Sequence, residues 1–404
     1  MRIATLMDGL RPPVRAMVFL HWIFSFVGTL TGVFVHIYLF QRFGSVSFNA
    51  LAQAGFFVGC VIGFSGVGVL FSFWRLNMKN GYGAAIIVFG MSFFLLLGNV
   101  GEYRAFVFML VNGFGFGLYW LTLHTFELTE TQDEERDRYS SILSAGDQVI
   151  NVAGPALATA LFFISGDLLE WGSYTLLFVI APLTCLLGFL FLGAIRAYRP
   201  LPIKVADVVH FLTEKKNVVA QVYFLSSSGN FAFTRVAIPI AALIFFGDEK
   251  HVGLWNTLFA IISIVAVLFL ARVRHSGNRV RFLTITSLAG ASIALFVAAR
   301  YDLFAFLVFS LLSIVIKPLE RISAHVIDLA TMETLGRKGC DFFATMVLRD
   351  VALGFWRIVL LLSFAWFVGV AGEGETAVRV GFLCIALSTV LQCVGGRMVY
   401  HSKV

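Results

Sequence analysis

Twelve stretches of this chain are apolar on every face, over 16–40, 49–73, 83–100, 104–128, 140–165 and 174–195, then 218–246, 252–270, 282–299, 303–330, 342–370 and 378–399. Each is long enough to cross the hydrocarbon core of a bilayer as a helix. None shows the period-2 alternation of a barrel strand, and a backbone in lipid must satisfy its own hydrogen bonds, so the pattern predicts an all-α membrane protein. The first stretch follows Arg11, Pro12, Pro13 and Arg15 and has no small-residue cleavage site, which predicts a retained span rather than a signal peptide.

Polar residues gather in the intervals between these stretches. The longest interval separates two sets of six, predicting a first half over 1–197, a cytoplasmic linker over 198–217 and a second half over 218–404. Sorting lysines and arginines into alternate loops gives twenty on one side, including Arg75, Lys79, Arg196, Lys215, Arg281 and Arg397, and five on the other, Arg42, Arg104, Lys250, Arg300 and Arg379. The positive-inside rule then places both termini in the cytoplasm and supports an even span count. Composition agrees with the pattern: 59% of the 404 residues are hydrophobic and 13% charged. A formal charge of +7 invites a nucleic-acid reading, but the basic residues form no stripe interleaved with aromatics. The five cysteines contain no CxxC pair.

Ionisable residues inside the spans change the picture from membrane anchor to membrane machine. Arg235, Lys317, Arg321, Arg349 and Arg357 fall there, as do Glu127, Asp147, Glu320, Asp328 and Asp350. Each costs several kcal/mol at mid-bilayer unless it is paired or hydrated, so such residues mark function. Some also recur. His124-x-x-Glu127-Leu128 closes the fourth stretch and His325-x-x-Asp328-Leu329 the tenth, 201 residues apart, while Asp147 and Asp350 stand 203 apart. Two matches in register point to duplicated halves. Gly55, Gly59 and Gly63 recur every four residues, as in close helix contacts. Gly113, Gly115 and Gly117 do not share one face and read as local flexibility or thin packing in the fourth span.

Duplicated six-span halves and a central cytoplasmic linker resemble the major facilitator superfamily. The loop Phe73-Trp74-Arg75-Leu76-Asn77-Met78-Lys79-Asn80-Gly81 resembles that family's basic loop between spans two and three, without its usual acid. Asn151-Val152-Ala153-Gly154-Pro155-Ala156 resembles its antiporter Gly-Pro motif with fewer glycines. The resemblance implies twelve transmembrane helices in two pseudo-symmetric halves that rock about a central site.

Lys317, Arg321, His325 and Asp328 share one helical face, with Pro318 placed to kink the helix beside them and Glu320 to neutralise them. The candidate substrate-binding set is Trp120, Asn151, Asn230, Arg235, Lys317, Arg321 and Arg357. The candidate proton-coupling or gating set is His124, Glu127, Asp147, Glu320, His325, Asp328, Arg349 and Asp350. Five cations against three acids in the second half favour an anionic or zwitterionic small-molecule substrate, since arginine forks two donors onto a carboxylate or phosphate. The acidic run Glu130 to Asp137 is a candidate to meet the basic loops after spans two and eight.

The expected function is secondary active transport by alternating access, possible proton coupling included, by a monomer in the bacterial inner membrane. No P-loop is present, and no cofactor, metal or nucleic acid is called for. The competing readings are a divalent-metal transporter, because imidazole and carboxylate also ligate metals, and a non-transporting scaffold or sensor derived from a transporter. A membrane enzyme lacks an evident nucleophile and base.

Overall fold

In the computed structural model, residues 7, 9–131, 133–169, 172–200, 218–270, 279–336 and 342–401 are described. Most of the expected linker therefore lies outside the described residues. Among those described, the chain forms twelve helical rods. The first six are α1 Pro12–Phe43, α2 Val46–Phe73, α3 Met78–Leu96, α4 Glu102–Glu130, α5 Asp133–Phe163 and α6 Thr175–Leu192. The second six are α7 Val218–Phe246, α8 Glu249–Leu270, α9 Arg279–Arg300, α10 Leu303–Gly336, α11 Phe342–Ala371 and α12 Glu375–His401. All but α8 carry a described stretch long and apolar enough to cross a membrane.

Polar residues start several of these helices. The Asn77 side chain accepts from the Lys79 amide at the start of α3. Asp302 accepts from the Ala305 amide at 2.7 Å at the start of α10, and that bond, followed by Arg300 beside it, holds its carboxyl below the usual range. Pro318 does not break α10, which runs through it without interruption. The α7 helix likewise continues through Pro239.

The described residues divide into two compact units. One contains 1–35 with 55–203, and the other 36–54 with 204–404. In the first, α2 and α4 approach backbone to backbone. A Cβ at Gly59 or Gly63 would strike the carbonyls of Leu110 or Phe114, and one at Gly113 or Gly117 those of Phe56 or Cys60. Gly113 and Gly117, one turn apart, thus serve close packing against α2, and Gly115 faces Phe89 of α3. Beside this seam, α2 carries a π-helical turn over Ile62–Gly66.

In the second unit α7 packs against α11 and α12, and α9 against α10 and α12. The tip of the α1–α2 hairpin, 36–54, clusters here because Glu373 holds it: the carboxylate accepts from the Ser45 hydroxyl and Val46 amide, each at 2.7 Å, and from the Ser47 amide at 3.2 Å. Glu373 stands between Gly372 and Gly374, both at positive φ, a conformation that favours glycine.

Candidate functional site

Each unit carries a polar cluster within its apolar bundle. In the first unit α1 supplies His21 and Ser25, one turn apart, α4 supplies Tyr119, Trp120, His124 and Glu127, and α5 supplies Tyr139 and Asp147. His21 is 6% exposed. Its Nδ1 lies 2.6 Å from the Tyr119 hydroxyl and its Nε2 3.3 Å from Asp147, which also accepts from the Ser25 hydroxyl at 2.9 Å. A neutral imidazole with hydrogen on Nε2 gives each proton a partner: Tyr119 donates to Nδ1, and Nε2 donates to Asp147. One helix ladder away, Glu127 receives His124 Nδ1 at 2.8 Å and the Tyr139 hydroxyl at 2.9 Å. The Trp120 ring connects the two groups, with centroids 6.0 Å from His21 and 5.1 Å from His124.

Aromatic rings and a charged pair frame this cluster. Tyr119 stacks on Phe24 at 3.9 Å, and Tyr82 of α3 stacks on Phe126. At the start of α1, Arg11 pairs with Glu135 at 2.9 Å and also donates to the Glu130 carbonyl. Glu135 is thereby bound by the segment before α1, and the loop after α8 lies outside the described residues.

The second unit's cluster is cationic. On α7, Arg235 follows Phe231 by one turn, and Arg357 comes from α11; their guanidinium carbons lie 4.7 and 4.6 Å from the Phe231 ring centroid. Guanidinium stays charged and stacks on aromatic faces while leaving its edge donors for oxygen ligands. Next to Phe231, the Asn230 amide donates to Thr389 at 3.0 Å and lies 3.5 Å from oxygens of both Glu320 and Gln392. Glu320 is 7% exposed, with half-buried Lys317 one turn before it on α10. The α1–α2 tip adds His36, 2.7 Å from Asn49.

Residues 17–319 match the Major Facilitator Superfamily. The chain belongs to that superfamily. Solved structures agree with its fold at low identity. The nucleoside transporter NupG matches with TM-score 0.67 at 11% identity, covering 96% of this chain and 98% of that one. A structure described for substrate recognition in proton dependent oligopeptide transporters gives 0.69 at 12%, with coverage of 96% and 98%. A bacterial homologue of the human drug peptide transporters PepT1 and PepT2 gives 0.71 at 10%, with 97% and 98%. No curated protein matches.

The superfamily fold brings together some of the sequence-derived residues and separates others. Trp120, His124, Glu127 and Asp147 belong to the first cluster, and Asn230, Arg235, Lys317, Glu320 and Arg357 to the second. Asn151 is exposed one turn beyond Asp147 on the same face of α5 and makes none of the cluster's hydrogen bonds. Arg349 and Asp350 are half-buried on α11. Arg321, His325 and Asp328 continue α10, but their side chains lie outside the described residues. No three His, Cys, Asp or Glu side chains gather as metal ligands among the described residues. Sequence reasoning missed His21, Ser25, Tyr119 and Tyr139, and in the second unit Phe231, Thr389 and Gln392. The available signal was the pair His21 and Ser25, two polar residues four apart in an otherwise apolar run.

Proposed function

We propose that this superfamily member is an alternating-access secondary transporter that carries a small anionic or zwitterionic solute and couples it to protons. The observation that carries the solute class is the pair of guanidiniums, Arg235 and Arg357, against the ring of Phe231. Two fixed positive charges on helices of one unit suit a carboxylate or phosphate, which guanidinium grips through paired donors. Asn230 beside them supplies a neutral polar contact, and Lys317 and Glu320 can meet the two ends of a zwitterion. Proton coupling is supported by the buried imidazole of the first unit lying against a half-buried carboxylate, imidazole being the side chain that ordinarily changes charge in the physiological range. Both termini are assigned to the cytoplasm on the basic loops.

Among the solutes named for structures of this fold, a peptide carries a carboxylate and a nucleoside does not, so the guanidinium pair favours the peptide-like chemistry. Uptake into proteoliposomes tests the reading with labelled mono- and dicarboxylates, phosphate esters, dipeptides and a neutral nucleoside, each with and without an inward proton gradient. The expected result is gradient-driven uptake of one carboxylate- or phosphate-bearing class, lost in R235A and R357A protein that remains monodisperse. Uptake confined to the nucleoside, or unchanged in both variants, contradicts it.

A further inference from the structure

The proton-coupling reading leaves open where the proton sits, and the geometry of the first unit narrows it. Two imidazole–carboxylate pairs are available, and they differ in kind. His124 and Glu127 lie three residues apart on α4, so their 2.8 Å contact persists however α4 moves. His21 and Asp147 lie on different helices, α1 and α5, and their contact exists only while those helices hold their present rotation and spacing. The same two helices touch again above and below: the Trp22 indole faces the Leu143 carbonyl, and the Thr29 side chain packs on Gly154. A proton bound between helices is linked to their arrangement; one bound within a helix is not.

We propose that the His21–Asp147 pair of α1 and α5 is the proton-binding site of the first unit, with Tyr119 fixing the imidazole. This rests on the proton-coupled reading above but locates it on a residue outside the sequence-derived set. Without the extra proton, the pair is a neutral imidazole donating from Nε2 to a carboxylate, with net charge −1. With it, the pair is imidazolium and carboxylate, net zero, and the added proton occupies the imidazole or is shared with Asp147 as one coupled unit. The Asp147 side chain is 32% exposed whereas that of His21 is 8% exposed, so the carboxylate is the entry point and the ring the interior end. The proton comes from water and returns to water; no bond besides O–H and N–H forms or breaks.

The groups around His21 set the consequences. From α4 it faces Tyr119 and Trp120, with His124 and Glu127 beyond; from α5 it faces Asp147, with Tyr139 bonded to Glu127; from α3, Tyr82 reaches Tyr119. Protonation costs the Tyr119 hydroxyl its acceptor, since Nδ1 then carries hydrogen. The imidazolium gains a charge-assisted bond to Asp147 that draws α1 toward α5. Proton occupancy and helix arrangement thereby become one equilibrium.

Nitrogen NMR of side-chain-labelled histidine in the full-length protein, with protons as the only ligand, tests this without knowledge of the solute. Subtracting the H21Q spectrum assigns His21 among the eight histidines. The expected result is an Nε2–H neutral ring that becomes imidazolium as the pH is lowered while the protein stays folded. In D147N the conversion moves to lower pH, because the counter-charge is gone. A His21 that stays neutral throughout, or a conversion unmoved by D147N, overturns the proposal. If the H21Q protein does not fold, D147N against wild type supplies the same decision by the one resonance that shifts. A protein that binds this proton yet shows no gradient-driven uptake keeps the site and refutes the transport reading, so the two failures are distinct.

Discussion

His21, Tyr119, Ser25 and Asp147 spend their hydrogens on one another, with Glu127 closed off similarly by His124 and Tyr139. The second unit is built the other way: Arg235 and Arg357 bring two permanent charges against one aromatic ring, and the Asn230 amide makes one close bond and two long ones. The first arrangement is a hydrogen-bonded lattice whose members can exchange a proton but have little spare capacity for a ligand. The second concentrates permanent positive charge on one aromatic ring, the chemistry that the proposed function matches to an oxygen-rich solute. The two units of the fold thus carry different side-chain chemistries, imidazole and carboxylate in one and guanidinium in the other, and the proposed function assigns the proton to the first and the anion to the second.

The difference can be broken most severely at the packing that supports the first unit. Gly113→Leu pushes a side chain into the Phe56 backbone and should cost ~4 kcal/mol or more, read as loss of monodisperse protein in detergent, because neither backbone can withdraw. The next effect is functional. Arg357→Ala should lower uptake about 30-fold or more, the equivalent of ~2 kcal/mol for removing one charged partner, while leaving thermal stability close to wild type. Tyr139→Phe removes one of the two donors to Glu127 and should cost ~1.5 kcal/mol in chemical denaturation. Glu373→Ala frees the start of α2 and should cost ~1 kcal/mol, as the loss of a helix cap does. Smallest is Asp302: its folded carboxyl is held below the unfolded value, so its stabilisation is present above about pH 4 and fades as pH falls further. Asp302→Asn should flatten that acid limb slightly.

Helix number, all-α class and superfamily were legible in the sequence, because apolar runs between basic loops are dictated by the bilayer itself. The clusters were legible only in part. Arg235 and Arg357 stood out as charges with no place in lipid. His21 and Tyr119 did not, since a helix that is apolar all round has no periodic stripe to say which side faces its neighbours, and their bond depends on that rotation. Gly113 and Gly117 looked like thin packing because their partner carbonyls at Phe56 and Cys60 come from another helix. Pro318 was legible as a perturbation of α10, and the helix nonetheless continues through it, since neighbouring groups can re-satisfy the freed carbonyl.

The account depends on the guanidinium pair of the second unit receiving a negative group. Thermal unfolding of the purified protein and its R235A/R357A double variant, each titrated with carboxylates, phosphate esters, dipeptides, a nucleoside and Mn²⁺, tests this directly. Stabilisation of the wild type alone by one anion-bearing class, near 2.7 kcal/mol at about a hundred times its dissociation constant, is the predicted result. Equal stabilisation of both proteins by that class, or a response to the nucleoside or Mn²⁺ only, would contradict it.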